Sequence, residues 1–297
     1  MKAMDFKGII PPIQTAFKAD GSLDKEGTRN IVRFTLPHVQ AYYPLGTYGT
    51  GPLMSLDERK EALEVILDET NGKIPVIAHV GTPDTKSAVE LVKHAKAAGA
   101  SAVGSISPYY APHLPEELLY HYFMDLMEAA GDMPLFVYNN AHYCQNVITP
   151  GLLQRLAGEG LRGCKDSSFD LVNFYNFKEA VKDYPDFNVI IGTEAIFVPA
   201  FEAGATGCVC GIGNIFPELL KKMYDQTLAG NTAEALKTQA QILRIRAITK
   251  LAPTIPVMHC ILELRGVNAG MPRRPYLPLD DSTKALVKSK LQAIQAI

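Results

Sequence analysis

Short apolar runs alternate with longer amphipathic segments from residue 8 to residue 228. The first run, 8–17, holds Ile9, Ile10, Ile13 and Phe17 around Pro11-Pro12 and predicts a strand and its exit. Residues 24–36 follow at helical spacing, with Ile31, Phe34 and Thr35 on one face. Further strands are predicted at 39–45, 74–80, 102–107, 134–139, 161–165, 187–192 and 207–211. Helices are predicted between them at 55–69, 84–98, 115–130, 149–157, 170–182 and 195–203, and after the last strand at 217–228. The second helix opens on Ser55-Leu56-Asp57-Glu58, which has the form of a capping box. The strand runs are short and nearly continuous in apolar residues, as strands covered on both faces are.

Eight βα units in succession predict an α/β fold, a closed (β/α)8 TIM barrel over residues 1–230. Residues 231–297 read as a C-terminal helical extension, with helices at 232–249, 254–265 and 281–296 and no separate catalytic chemistry of its own. An open doubly wound sheet is the alternative. It is disfavoured because no G-x-G-x-x-G follows the first strand and no P-loop lysine motif occurs.

Composition narrows the function. The chain has 297 residues and a net charge of −2, with no basic block, which speaks against nucleic acid or an anionic membrane as the main partner. No apolar run reaches transmembrane length, and the start lacks the basic and apolar regions of a secretory signal. The five cysteines show no paired ligand spacing, so reduced thiols in a cytoplasmic protein are expected.

Lys165 is the exceptional residue. It falls at the C-terminal end of a strand in Gly163-Cys164-Lys165-Asp166-Ser167-Ser168. A buried ammonium is costly unless paired or neutral, and a neutral lysine amine is a nucleophile toward carbonyl carbon. The strand ends, where barrels carry their chemistry, also present Thr47, Tyr109, Tyr110, Tyr138, Asn139, Thr193 and Glu194. A tyrosine oriented by another hydroxyl can act as general acid or base, and backbone N–H groups of the 46–51 turn can bind a carboxylate. No acidic or histidine cluster suited to a divalent metal stands at these ends, so no metal or organic cofactor is expected. Taken singly, each residue has an ordinary reading. Lys165 could be a surface lysine, Tyr138 a core tyrosine, Tyr109-Tyr110 a packing pair and Glu194 a helix cap. Their joint placement on strand ends favours a site.

In Gly46-Thr47-Tyr48-Gly49, Ser107-Pro108-Tyr109-Tyr110, Tyr138-Asn139 and Gly163-Cys164-Lys165-Asp166-Ser167, the chain resembles the dihydrodipicolinate synthase/N-acetylneuraminate lyase family of pyruvate-dependent class I aldolases. The likeness runs from residue 8 to about residue 279. It implies that Lys165 forms a Schiff base with a 2-oxo acid and that Tyr138 is the general acid/base, hydrogen-bonded by Thr47. It also implies that Tyr110 completes the relay in a neighbouring subunit of a homotetramer. The pyruvate carboxylate would sit on the turn at Thr47, Tyr48 and Gly49, and Val209 would offer a carbonyl near the lysine.

The departures bear on substrate. Tyr48 stands where the family turn often has threonine. Tyr143 falls where the synthases carry an arginine for the amino-acid substrate, and that loss is not conservative. Glu194, after Thr193, matches one of the acidic residues by which the lyases bind sugar hydroxyls. With His142 and Tyr143, these residues predict a pocket for a sugar-derived 2-oxo acid, either N-acetylneuraminate or a 2-keto-3-deoxy sugar acid. Competing readings are a sugar-acid dehydratase, a dihydrodipicolinate synthase-like condensation on the same lysine, and a catalytically silent 2-oxo acid binding protein.

Overall fold

The computed structural model describes residues 6–297. The first five residues, on which the reading of the N-terminus partly rests, lie outside the described residues. Seven parallel strands form one curled sheet: β1 (Gly8–Ile9), β2 (Ile77–His79), β3 (Ala102–Ile106), β4 (Leu135–Asn139), β5 (Gly163–Asp166), β6 (Asn188–Ile191) and β7 (Gly207–Cys208). Their order is β1-β7-β6-β5-β4-β3-β2. The predicted strand at 39–45 is not a regular strand but fills the eighth place. Its Gln40 and Tyr43 N–H groups donate to Ile9 and Pro11 carbonyls, each at 2.9 Å, and Tyr42 exchanges bonds with Pro75 and Ile77 on the other side. The barrel is therefore closed.

Proline explains why several strands are shorter than predicted. Pro11, Pro12, Pro44 and Pro75 lack the N–H that continues a ladder, so only two residues of 8–17 and three of 74–80 pair regularly. The run 207–211 shrinks to Gly207–Cys208 because Gly211 opens a 3-10 turn.

The helices follow the predicted alternation closely. Ser55 and Glu58 make the reciprocal capping box that opens α2 (Leu56–Thr70), and Asp170 caps α6 (Leu171–Ala180). The barrel interior is packed by Ile10, Tyr43, Ile77, Phe136, Ile190 and Val209. A larger apolar layer joins sheet to helices. The extension consists of α9 (Thr232–Ile248), α10 (Thr254–Leu264) and α11 (Asp281–Ala293). Gln239 of α9 accepts a hydrogen bond from the Val198 N–H at 2.8 Å, which fixes this helix against the barrel. Among the described residues, no helix is long and apolar enough to cross a membrane.

Candidate active site

Lys165 and Tyr138 are register partners on β5 and β4, so their side chains leave the same face side by side. Both are buried, at 4% exposure each. Lys165 Nζ lies 3.6 Å from the centroid of the Tyr138 ring and 4.4 Å from that of Tyr43. Burial pulls the amine below the usual lysine range, and the neighbouring Tyr138 only partly opposes this. Burial alone would push the Tyr138 phenol up. The Lys165 charge and hydrogen bonds from Asn140, Thr47 and Ser167 outweigh it and leave the phenol below its ordinary value. Asn140 Nδ2 donates to the phenol oxygen at 2.7 Å. An amine and a phenol, both held below their ordinary pKa values, thus stand together at the strand ends.

The carboxylate of Asp166 braces this pair from behind. It accepts from Asn139 Nδ2 at 2.8 Å, from the Ser168 hydroxyl at 2.8 Å and from Asn173 Nδ2 at 3.2 Å. Asn139 Oδ1 in turn accepts from the Ile148 N–H at 3.2 Å, closing the loop that carries Asn140, His142 and Tyr143.

The 46–51 turn folds tightly over the barrel mouth. Leu45 and Thr50 adopt left-handed backbone, with φ of 63° and 53°, a conformation unfavourable for a branched apolar side chain and typical of functional turns. A Cβ on Gly51 would lie 1.9 Å from the Leu45 carbonyl oxygen, and one on Gly49 would lie 2.6 Å from the Leu45 nitrogen. Both glycines are needed for this close approach.

A cavity of about 360 Å³ opens at the strand ends, bordered by Tyr138 and Ser167. Of the predicted site residues, Thr47, Tyr48, Tyr138, His142, Tyr143, Thr193 and Glu194 line it. Thr47, Tyr138 and Tyr143 also border an adjoining, more apolar lobe of about 230 Å³, beside His79 and Leu53. Lys165 is not among the lining residues; it is buried against Tyr138, which is, and its Nζ lies 3.6 Å from that ring's centroid. Gly49 shapes the turn without lining the cavity, and Val209 is buried in the barrel interior. Tyr110 is not brought to the site within this chain, for its side chain is 86% exposed.

Two features depart from expectation. Glu194 is not a free carboxylate at the sugar end: its Oε1 accepts from Arg246 Nε at 3.0 Å. Burial pushes the Glu194 carboxyl up, while Arg246 and the N–H groups of Glu194 and Ile212 oppose the shift. The extension is also part of the site, since Arg246, Lys250, Thr254 and Tyr276 line the cavity. Arg246 is 52 positions beyond Glu194 in the sequence, and no local spacing signals the pairing. His79 likewise passed unnoticed inside an apolar run. Its Nδ1 is 3.2 Å from the Leu45 carbonyl, its Nε2 accepts from the Ile106 N–H at 3.4 Å, and burial keeps the ring neutral.

This geometry can be set against known proteins. The sequence model of the dihydrodipicolinate synthetase family matches residues 5–294. The chain belongs to this family. Its members are pyruvate-dependent lyases and synthases, and the chain is an enzyme of that class. An uncharacterised DapA-like lyase of Halobacterium salinarum is 33% identical, over 96% of this chain and 92% of the relative. Among solved structures, the E. coli K12 prophage protein YagE, of the dihydrodipicolinic acid synthase family and in complex with pyruvate, superposes with a TM-score of 0.93 at 27% identity, covering 98% of this chain and 99% of that one. A catalytic lysine mutant of the Ruminococcus gnavus sialic acid aldolase gives a TM-score of 0.93 at 28% identity, covering 98% and 96%.

Proposed function

We propose that the chain is a class I aldolase that reversibly cleaves a sugar-derived 2-oxo acid to pyruvate and an aldehyde through a Schiff base on Lys165. The observation that carries this reading is the buried Lys165 amine, kept below its usual pKa and set against the Tyr138 phenol. The neutral amine adds to C2 of the 2-oxo acid. One amine proton passes to the former carbonyl oxygen, the Tyr138 phenol supplies a second, and water leaves. The nitrogen retains one hydrogen and the positive charge of an iminium. The Tyr138 phenolate then takes the proton of the C4 hydroxyl as the C3–C4 bond breaks and its electron pair flows into the iminium. The aldehyde departs, the Tyr138 phenol returns its proton to C3 of the enamine, and hydrolysis of the iminium releases pyruvate, restoring the neutral amine and, with the proton set free, the phenol.

Thr47 and Asn140 orient the phenol, and the backbone of the 46–51 turn takes the substrate carboxylate, with Tyr48 and Gly49 shaping that end. Thr193, His142, Tyr143 and the Glu194–Arg246 pair face the distal hydroxyls. Val209 contributes its carbonyl, and Tyr110 joins the relay of a neighbouring subunit in a homotetramer. The test is a panel of N-acetylneuraminate, 2-keto-3-deoxygluconate and related acids, with pyruvate release as readout, beside pyruvate plus aspartate semialdehyde. Release from a sugar acid, lost in Lys165→Ala together with the borohydride-trapped pyruvate adduct, is expected. Efficient dihydrodipicolinate formation, or trapping undiminished in Lys165→Ala, would overturn the reading.

A further inference from the structure

The Lys165 amine has aromatic rings on two sides, and the family mechanism gives a task to only one of them. Tyr138 works through its hydroxyl. Tyr43 is fully buried in the barrel interior, and its hydroxyl has no hydrogen-bond partner. A buried phenol left unpaired is unfavourable, so what this position supplies is its ring. The ring is held firmly. It stands edge-on to Tyr138 with centroids 6.0 Å apart and an interplanar angle of 72°, and it packs at 6.0 Å from His79. His79 is itself fixed through both ring nitrogens. Room for the phenol exists only because residue 104 is glycine: a Cβ there would lie 2.4 Å from the Tyr43 hydroxyl oxygen.

Resting on the Schiff-base reading of Lys165, we propose that the Tyr43 ring is the platform that holds the lysine nitrogen against Tyr138 and stabilises the positive charge of the iminium. An aromatic face attracts a cation through its quadrupole, and the attraction grows when water is excluded. The charge that the ammonium would carry, and that the iminium does carry, lies on a nitrogen already 4.4 Å from this ring centroid. The free amine carries no such charge, so the ring favours the iminium over the neutral lysine. Burial disfavours both charged forms, and the ring offsets part of that penalty at the point in the cycle where charge is required. Nothing new is transferred in this step. The covalent chemistry is that of imine formation, and Tyr43 shifts its equilibrium.

The test varies the ring's quadrupole at nearly constant shape. Position 43 is filled with phenylalanine, then with 4-fluoro-, 3,5-difluoro- and 3,4,5-trifluorophenylalanine, and separately with methionine. For each protein, the pyruvate concentration giving half-maximal borohydride trapping and the kcat for cleavage are measured, with Tm as a control. Tyr43→Phe is expected to stay within about threefold of the wild type, because the ring remains. Each fluorine should weaken trapping further, and Tyr43→Met should weaken it by about tenfold. A flat fluorine series, or Phe as impaired as Met, would overturn the role of Tyr43. A wild type that traps no pyruvate, or a Lys165→Ala variant that traps it equally, would instead overturn the Schiff-base reading on which this inference rests.

Discussion

Replacing Arg246 by methionine tests the link between the extension and the active site. Arg246 donates through Nε to a Glu194 carboxylate whose side chain is 6% exposed, while its own is 25% exposed. Breaking a buried ion pair by removing one partner costs ~3–5 kcal/mol. The partial exposure of the arginine lowers this to about 2–3 kcal/mol at pH 7.5. The stranded carboxyl would not stay ionised. Burial already pushes its pKa up and Arg246 opposes that, so the variant's native state holds its proton to a still higher pH. The sign follows. Below the unfolded glutamate pKa of ~4.3, both states are protonated and the deficit vanishes. As pH rises, the unfolded chain ionises while the native state does not, and stability falls by about 1.4 kcal/mol per pH unit until the raised native pKa is reached. Because the wild-type Glu194 carboxyl is itself raised, the deficit relative to wild type opens only above that native pKa; it should be small at pH 5, grow through pH 6 and be complete by pH 7.5. Urea unfolding at pH 5, 6 and 7.5 measures it. Adding Glu194→Gln to Arg246→Met should restore most of the loss and flatten the pH dependence. A deficit that is independent of pH, or larger at pH 5, would refute the reasoning. Trapping of pyruvate by Lys165 should change little in Arg246→Met, while cleavage of a sugar acid should slow, because the pair lines the cavity that Tyr138 borders.

Two further outcomes follow from close contacts. Asp166→Ala removes the acceptor of Asn139 Nδ2, Asn173 Nδ2 and Ser168. It should destabilise by about 2–4 kcal/mol in urea titrations and lower kcat more than pyruvate trapping, since the brace holds the Tyr138–Asn140 loop. Gly211→Ala places a Cβ 2.6 Å from the Tyr48 ring. It should displace that ring and raise KM for the 2-oxo acid about tenfold or more, with Tm as the control for folding.

The alternation of strand and helix was legible because burial writes it into the sequence: buried parallel strands are short apolar runs, and the helices between them carry caps such as Ser55 and Asp170. Lys165 stood out because an ammonium at the end of such a run is anomalous. What failed to show was of two kinds. The barrel's second position reads as a strand at 39–45, yet prolines at 44 and 75 and the left-handed Leu45 reduce it to a few hydrogen bonds. Composition registers apolar content, not which N–H groups are missing partners. The Glu194–Arg246 pair and the Tyr43 platform depend on contacts between segments far apart in sequence. A tyrosine in the run Ala41-Tyr42-Tyr43 has the same pattern whether its ring fills space or faces a cation.

The part of the site that sequence did reach is the part that sheet geometry over-determines. Tyr138 and Lys165 are 27 positions apart, but parallel pairing sets Phe136 against Gly163 and Asn139 against Asp166, and so fixes Tyr138 beside Lys165. A slip of one residue would turn one of the two side chains to the outer face. Two interactions oppose such a slip. A Cβ on Gly163 would come within 2.2 Å of the Phe136 ring, so that ring packs over the glycine in this register. The Asp166–Asn139 hydrogen bond at 2.8 Å ties the same two strands on the face away from the lysine. Amine and phenol therefore meet because residues on both sides of each strand admit one register. The same reasoning explains why Asp166 lies next to Lys165 in the chain: strand alternation sends Lys165 inward beside Tyr138 and Asp166 outward to Asn139 from adjacent positions.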